Sequence, residues 1–274
     1  MIPLEDSAAD VIGKAQSGLR ISDSQLAKKS GVAIDVIKKL RAGSFDEPAL
    51  RAIAPILDLD PNALVDLAND KWKPSRLESF DGLAQFTTDF GGMKVNSYLI
   101  WDSRKKAAAA FDTGADCRQM LYWAAKDNLK ISFILVTHAH SDHIADLPRL
   151  RGETDAEVFA PSREPVPGAE EINEGRHLRL GQIDIEARLT WGHSPGGMTF
   201  VANGLARPIA IVGDSIFAGS MGGGNVSYED AIKNNLEKIL TLPDETIVCP
   251  GHGPMTTVGE EKKHNPFFAG RFGK

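Results

Sequence analysis

Histidine is concentrated in one short stretch of this sequence. The segment THAHSDH at residues 137–143 contains three of the chain's seven histidines and one aspartate. It follows the apolar run ISFILV, which is typical of a strand buried on both faces. In an extended segment His138 and His140 point to the same side, and Asp142 and His143 follow in the turn. Because imidazole nitrogens and carboxylate oxygens are ligands of zinc and related divalent ions, the stretch predicts a metal site.

Three further residues have the same type and setting. They are His193 in TWGHSPGG, Asp214 in IAIVGDS and His252 in VCPGHGP. Each follows a predicted strand and lies beside glycine, which lets a backbone approach an ion closely. Together with the cluster they make seven candidate ligands, more than one tetrahedral ion uses, so the sequence predicts two ions. His177 and His264 are flanked by charged residues and are not expected to be ligands.

Asp112 lies in the segment FDTG, which aspartic proteases also carry. Those enzymes need two such carboxylates sharing a proton, and this chain has one DTG, so that interpretation is rejected. A metal-bound histidine usually donates its second ring N–H to a carboxylate or carbonyl, and Asp112 is the candidate acceptor. An Asx turn with no such role is the alternative for this aspartate.

The motifs, taken in order, resemble the five-motif signature of the metallo-β-lactamase fold. THAHSDH, WGHSPGG, VGDS and CPGHGP match its later motifs, and FDTG is similar to the first. The resemblance runs from about residue 80 to the C-terminus and implies an αβ/βα sandwich with metals at one edge. It also implies ligand sets for two ions, with a bridging group between them. The first set is His138, His140 and His193; the second is Asp142, His143 and His252; Asp214 bridges the two.

The C-terminal part is similar to the glyoxalase II-like branch of that family. GDSIFAGSMG and CPGHGPMTTVGEEKKHNPF carry this resemblance. Two departures argue against a glutathione thioester as the substrate. That branch often has an arginine and an acidic residue soon after GSxG, where this chain has GSMGGGNVSYED, and only eleven residues follow Lys263, where glyoxalase II has a glutathione-binding helical region.

The resemblance implies a metal-dependent hydrolase of a thioester, ester or lactone. Two ions about 3.5–4 Å apart share a water and lower its pKa, so the expected nucleophile is a metal-bridging hydroxide. Asp142 is expected both to bind metal and to orient this hydroxide, which makes it the candidate catalytic residue. Zinc is the expected metal, and the ligand types also suit iron or manganese. The alternatives are a mononuclear-iron persulfide dioxygenase on the same fold and a DNA-binding regulator with a metallo-sensor domain.

The predicted secondary structure that positions these residues changes near residue 72, from helices alone to strands with interspersed helices. Residues 1–72 predict a small all-α domain, residues 73–79 a linker, and residues 80–274 a catalytic domain. Strands with interspersed helices in the last part favour an α/β architecture, in which helices cover sheets. The predicted strands are LAQFTTDF, VNSYLIW, AAAAF, ISFILVTH, EVFAP, IDIEARLTW, GMTFVAN, PIAIVGD and ETIVCPGH.

The segment SQLAKKSGVAIDVIKKLRAGS resembles the helix-turn-helix of lambda-repressor-like domains, which implies DNA binding. The charges oppose that function. Residues 1–74 hold ten Lys and Arg against eleven Asp and Glu, whereas DNA-binding domains usually carry a basic surface. The candidate recognition helix begins with Ala33, Ile34 and Asp35, none of which reads bases. We therefore expect docking or dimerisation instead, with Trp72 as candidate anchor or as part of the small domain's own core.

Composition excludes several other classes. The net charge of −6 argues against general attraction to nucleic acid or anionic membranes, and an acidic catalytic half disfavours a nuclease. No apolar run approaches the length of a membrane span, and the first residues lack a signal-peptide pattern. Cys117 and Cys249 are unclustered, which fits a reducing compartment. We expect a cytoplasmic enzyme with a small-molecule substrate, no DNA or membrane partner, and a homo-oligomer as one use of the N-terminal domain.

Overall fold

The computed structural model describes residues 2–272. Five α-helices come first, and a single 3₁₀ turn, Ala54–Leu57, follows the fourth. They are α1 (Ala8–Leu19), α2 (Asp23–Ser30), α3 (Ile34–Arg41), α4 (Glu47–Ile53) and α5 (Pro61–Ala68). Local signals explain their ends: Ser7 and Ser22 form capping boxes, Gly31 ends α2 in a left-handed conformation, and Asp60 caps α5 ahead of Pro61.

The first sheet has six strands in sequential order. They are β1 (Leu83–Phe90), β2 (Met93–Asp102), β3 (Ala107–Phe111), β4 (Lys130–Leu135), β5 (Glu157–Pro161) and β6 (Glu170–Ile172). β1 and β2 form the predicted hairpin around Gly91 and Gly92, and β3 to β6 pair in parallel. Three helices follow strands of this sheet: α6 (Arg118–Lys126), α7 (Ser141–Ile144) and α8 (Leu147–Thr154).

The second sheet also has six strands, again in sequential order. They are β7 (His177–Leu180), β8 (Ile183–Leu189), β9 (Met198–Asn203), β10 (Ile209–Gly213), β11 (Ile247–Pro250) and β12 (Thr256–Thr257). Its helices are α9 (Tyr228–Asn234), which continues into a π-helical turn at Asn235–Ile239, and α10 (Val258–His264). The sequence patterns did not indicate β6, β7 or β12, because these strands are only three, four and two residues long.

Three apolar clusters hold the layers together. One lies between the sheets and includes Phe111, Phe159 and Phe200. A second joins the outer face of the first sheet to α6 and α8. The third lies on the outer face of the second sheet. Helices on the outer faces of two stacked sheets confirm the predicted αβ/βα sandwich.

The N-terminal helices share the third cluster with the sandwich. Ile12, Leu50 and Leu64 of the helices belong to the same buried cluster as Val212 and Phe267. Trp72 stacks on His264 of α10, with ring centroids 5.3 Å apart. Residues 69–82 form no helix or strand, and the boundaries at residues 72 and 80 stay a prediction.

Two smaller expectations concern membranes and cysteines. Among the residues that the structure describes, no helix has the length and apolar character needed to cross a membrane. Cys117 and Cys249 are both buried and both free.

Candidate metal centre

All seven candidate ligands lie at one edge of the sandwich, just beyond strand ends. β4 ends at Leu135, and its continuation carries His138 and His140 up to the start of α7. Asp142 and His143 lie within α7. The other three sit in the loops after β8, β10 and β11. The predicted strand ISFILVTH therefore ends earlier than expected, and the histidines are placed by the loop that follows it.

The first group consists of His138, His140, His193 and Asp214. His140 Nδ1 lies 3.0 Å from His138 Nε2 and 3.1 Å from His193 Nε2. Asp214 Oδ2 lies 3.4 Å from His193 Nε2. One ligand atom from each of the four fits within 4.8 Å of the others, which is the spacing around a single ion.

The second group consists of Asp142, His143 and His252 and adjoins the first. Asp142 Oδ2 lies 3.3 Å from His252 Nε2 and 3.6 Å from His143 Nε2. The Asp214 carboxylate lies between the groups, because its Oδ1 is 3.3 Å from His143 Nε2 and its Oδ2 is 3.4 Å from His252 Nε2. Asp214 thus has the geometry of a group shared by both.

Two of these atoms are buried without a partner. His143 Nε2 and Asp214 Oδ1 are enclosed and make no hydrogen bond with any described residue. A buried polar atom left unpaired costs about 1–3 kcal/mol. A cation between the two atoms would satisfy both, so the residues present fit the two divalent ions that the sequence predicts.

The pKa shifts of the buried histidines have opposite directions in the two groups of candidate ligands. Burial lowers the pKa of His138 and of His193. Burial also lowers the pKa of His143, but the Asp214 and Asp112 carboxylates outweigh it and raise the pKa to about 10. For His252, hydrogen bonds to Asp142 and Asp214 outweigh burial and raise the pKa to about 11. The second group therefore strongly favours positive charge, which a divalent cation supplies.

Asp112 orients the buried His143. Its Oδ2 lies 2.8 Å from His143 Nδ1, and its two oxygens accept hydrogen bonds from the Thr137 N–H and hydroxyl. Asp112 itself has a left-handed φ of 56°, a conformation that aspartate tolerates better than most residues. The geometry is that of an outer carboxylate on a ligating histidine, the role predicted for it.

Backbone carbonyls hold two other histidines, and the sequence patterns had not revealed them. The Lys94 carbonyl accepts a hydrogen bond from His252 Nδ1 at 2.6 Å, and the Gly223 carbonyl accepts one from His193 Nδ1 at 3.0 Å. These bonds direct the Nε2 atoms of both rings toward the centre. Every residue has a carbonyl, so no residue type marks such a partner in a sequence.

Glycine is required where the backbone passes close to the ligands. A Cβ atom on Gly251 would lie 2.1 Å from Asp214 Oδ1 and 2.6 Å from His143 Cε1. A Cβ atom on Gly222 would lie 1.9 Å from the Asp214 carbonyl oxygen. The glycines beside the predicted ligands therefore allow the close approach expected of them. His177 and His264 lie elsewhere, next to Asp184 and Trp72.

Residues 90–252 match the sequence profile of the Metallo-beta-lactamase superfamily. The chain belongs to the metallo-β-lactamase superfamily. The match covers all seven candidate ligands and confirms, at superfamily level, the predicted metal-dependent hydrolase. It begins after the N-terminal helices, for which the helix-turn-helix resemblance stays a prediction.

Relatives within the metallo-β-lactamase superfamily include hydrolases and a di-iron protein. The chain is 29% identical over 197 residues to hydroxyacylglutathione hydrolase GloC of Haemophilus influenzae, which covers 63% of this chain and 92% of GloC. The crystal structure of ETHE1 from Myxococcus xanthus is 25% identical, with a TM-score of 0.61, and the match covers 68% of this chain and 85% of that one. The crystal structure of TTHA1623 in a di-iron-bound form is 29% identical, with a TM-score of 0.55, and the match covers 66% of this chain and 99% of that one. The glyoxalase II-like resemblance is thereby confirmed.

Proposed function

We propose that the chain is a dinuclear metal-dependent hydrolase of a thioester, ester or lactone. The observation that carries this proposal is the position of the Asp214 carboxylate between two adjoining ligand groups. A group that faces both sites is what a two-ion centre requires. The similarity to a hydroxyacylglutathione hydrolase supports carbonyl hydrolysis, whereas the segment GSMGGGNVSYED departs from the glyoxalase II-like pattern and argues against glutathione as the thiol.

The ligand roles follow from the two groups. His138, His140 and His193 would hold one ion, Asp142, His143 and His252 the other, and Asp214 would contact both. When bound, the two ions supply a water of lowered pKa and a Lewis acid for the substrate carbonyl. Zinc is the proposed metal, and the di-iron form of TTHA1623 supports iron as the alternative.

Asp142 is the proposed catalytic residue. Burial raises its pKa, but the hydrogen bond from His252 and the charge of His143 outweigh burial and lower it. Asp142 therefore stays ionised at neutral pH. The Asp142 carboxylate would accept a hydrogen bond from the attacking water and orient it. Asp112 fixes the orientation of the His143 ring through its contact with His143 Nδ1.

Metal analysis combined with a substrate panel tests the proposal. We expect about two divalent ions per chain after purification without chelator, by elemental analysis. Thioester, ester and lactone probes are then followed by release of thiol or acid. Asp142→Asn should lose turnover, and because Asp142 is also a candidate ligand, the metal content of this variant is measured on the same sample. A firm stoichiometry of one ion, or no hydrolysis of any probe by the two-ion protein, would contradict the proposal.

A persulfide dioxygenase with one iron is the second candidate, and the similarity to ETHE1 favours it. It would use the same histidines for a different reaction. The discriminating measurement is oxygen consumption with glutathione persulfide as the probe. Consumption by a protein holding one iron, without thioester hydrolysis, would replace the hydrolase proposal.

For the N-terminal helices we propose a docking role without DNA binding. Their shared core with the sandwich supports docking, and the exposed Ile34 and Asp35 at the start of α3 offer no base-reading side chain. A DNA shift assay of the full chain at several salt concentrations should give no retained complex. A salt-dependent complex would favour the regulator hypothesis, because the salt slope reports phosphate contacts. A cytoplasmic location, a small-molecule substrate and a possible homo-oligomer remain part of the proposal.

A further inference from the structure

The chain before α1 runs alongside the metal centre. Residues 2–7, here called the N-terminal arm, pack on the loop that carries His252. A Cβ atom on Gly253 would lie 3.1 Å from the Glu5 nitrogen, 3.5 Å from Glu5 Cβ and 3.7 Å from the Pro3 carbonyl oxygen. The arm therefore lies beside the residue that directly follows a candidate ligand.

Two polar contacts fix the arm to the loop after Asp214. Asp6 accepts a hydrogen bond from the Ser220 hydroxyl at 2.6 Å and forms a salt bridge with Lys14 of α1. Lys14 Nζ in turn donates to the Met221 carbonyl at 2.8 Å and lies 5.1 Å from the centroid of the Phe217 ring. The Phe217 ring is 5.7 Å from the His252 ring. The arm is thus a built part of the surroundings of the metal centre.

A cavity opens between the arm, the helices and the sandwich. Its volume is about 1160 Å³, slightly above the usual range of about 300–1,000 Å³ for small-molecule sites, so it has room for part of a substrate. Glu5, Pro254 and Met255 line it on the side of the His252 loop, and Lys73 and Arg76 line it on the side of the linker. The metal ligands themselves do not line it. Glu5 lines this cavity and also packs on Gly253, the residue after His252, so a substrate whose carbonyl lies at the ions would extend its remote part past Glu5.

The Glu5 carboxylate has an unusual setting. It is half-buried, yet within residues 2–272 it forms no hydrogen bond or salt bridge. The neighbouring acids do have partners: Asp6 of the arm accepts a hydrogen bond from Ser220, and Asp10 of α1 forms the capping box with Ser7. A carboxylate left without a partner in a partly desolvated position attracts a cation more strongly than an exposed one does.

We propose that Glu5 is a specificity-determining residue that selects substrates whose remote part is cationic and disfavours anionic ones. The inference rests on the proposed hydrolase and names its substrate class: a carbonyl compound with an ammonium group on the side that faces the N-terminal arm. The first part of the chain thereby contributes directly to the substrate site.

Binding of product-like thiols to the metal-loaded full chain tests this role without any turnover. Thiolates bind such ions directly. The probes are thiocholine, its uncharged carbon isostere dimethylbutanethiol, and the anionic mercaptopropionate. We expect thiocholine to bind about fivefold more tightly than the isostere, and mercaptopropionate more weakly, by calorimetry. Burial raises the pKa of Glu5 and outweighs the lowering by His252 and Lys14. The titrations are therefore run at mildly alkaline pH, so that the Glu5 carboxylate is ionised.

Glu5→Gln keeps the size of the side chain and removes its charge. In this variant the preference for thiocholine over the isostere should fall to about one, with metal content unchanged. Asp70→Asn is the matched control, because Asp70 lines the same cavity on the side of the helices. It should keep the preference.

Each other outcome overturns the proposal. An unchanged preference in Glu5→Gln, an equal loss in Asp70→Asn, or no binding of any of the three thiols would show that Glu5 does not select charge. Loss of metal in Glu5→Gln would mean that the carboxylate acts on the ions instead. Absence of hydrolysis with a Glu5-dependent thiol preference would refute only the proposed reaction.

Discussion

The metal edge and the surface beneath the N-terminal helices are built from opposite kinds of residues. At the edge, His143 and Asp214 are buried polar groups with unpaired atoms. Beneath the helices, Ile12, Leu50 and Phe267 form a continuous apolar cluster. The edge fits a cation that would satisfy its buried polar atoms, whereas the apolar surface is stabilised by burial. Function and folding stability are therefore concentrated in different regions, and changes in each should have separate effects.

The largest effect is expected from Asp214→Asn. The change removes the charge that faces both ligand groups, so metal binding and hydrolysis should fall by more than about a hundredfold, the upper range for partners outside the ligand shell. Elemental analysis and probe hydrolysis measure both. The fold should persist, as seen by circular dichroism. Asp155→Asn, an exposed aspartate with a left-handed φ of 49°, is the control. Retained metal would contradict the shared role of Asp214.

Phe267→Ala tests the other region. Phe267 is fully buried in the cluster shared by helices and sandwich, so the change should lower the free energy of unfolding by about 3–5 kcal/mol. Denaturant titration measures this loss. The exposed Tyr122 is the control, and Tyr122→Ala should stay within about 0.5 kcal/mol of the unmodified protein. A loss of metal from folded Phe267→Ala would contradict the expectation that changes in the two regions have separate effects.

Asp112→Asn tests how much a carboxylate that contacts the candidate ligand His143 contributes to metal binding. The amide keeps the shape of the side chain but not the charge that holds His143 Nδ1 at 2.8 Å. Metal affinity should fall by about 10- to 100-fold. Competition with a chelator measures the affinity. Unchanged affinity would leave Asp112 with only its turn-forming role.

Glu261 lies between the two regions, and its expected effect is confined to the pH dependence of stability. It is fully buried and accepts hydrogen bonds from the Gly219 N–H, Asn265 and Thr256. Burial outweighs these bonds and raises its pKa from 4.5 to about 8. The folded state therefore holds a proton that the unfolded chain releases. The free energy of unfolding should fall as pH rises from about 4.5 to about 8.

Glu261→Gln removes that proton and should flatten the fall, which is at most about 1.4 kcal/mol per pH unit. Denaturant titrations of both proteins across this range measure the slope. Glu153→Gln, an exposed glutamate, is the control and should keep the slope of the unmodified protein. Parallel curves for Glu261→Gln and the unmodified protein would show that this carboxylate is ionised in the fold.

The sequence by itself determined the candidate ligand residues and most strands. Closely spaced histidines at residues 138, 140 and 143 and the apolar runs of the strands extend over a few residues, so short-range patterns reveal them. Only the tertiary structure decided which carbonyls hold His193 and His252, which glycines lie against Asp214, and that the N-terminal arm reaches the metal centre. Such contacts join residues far apart in the chain, and many involve backbone atoms that every residue shares. Their positions follow from the packing of whole layers, which no local pattern encodes.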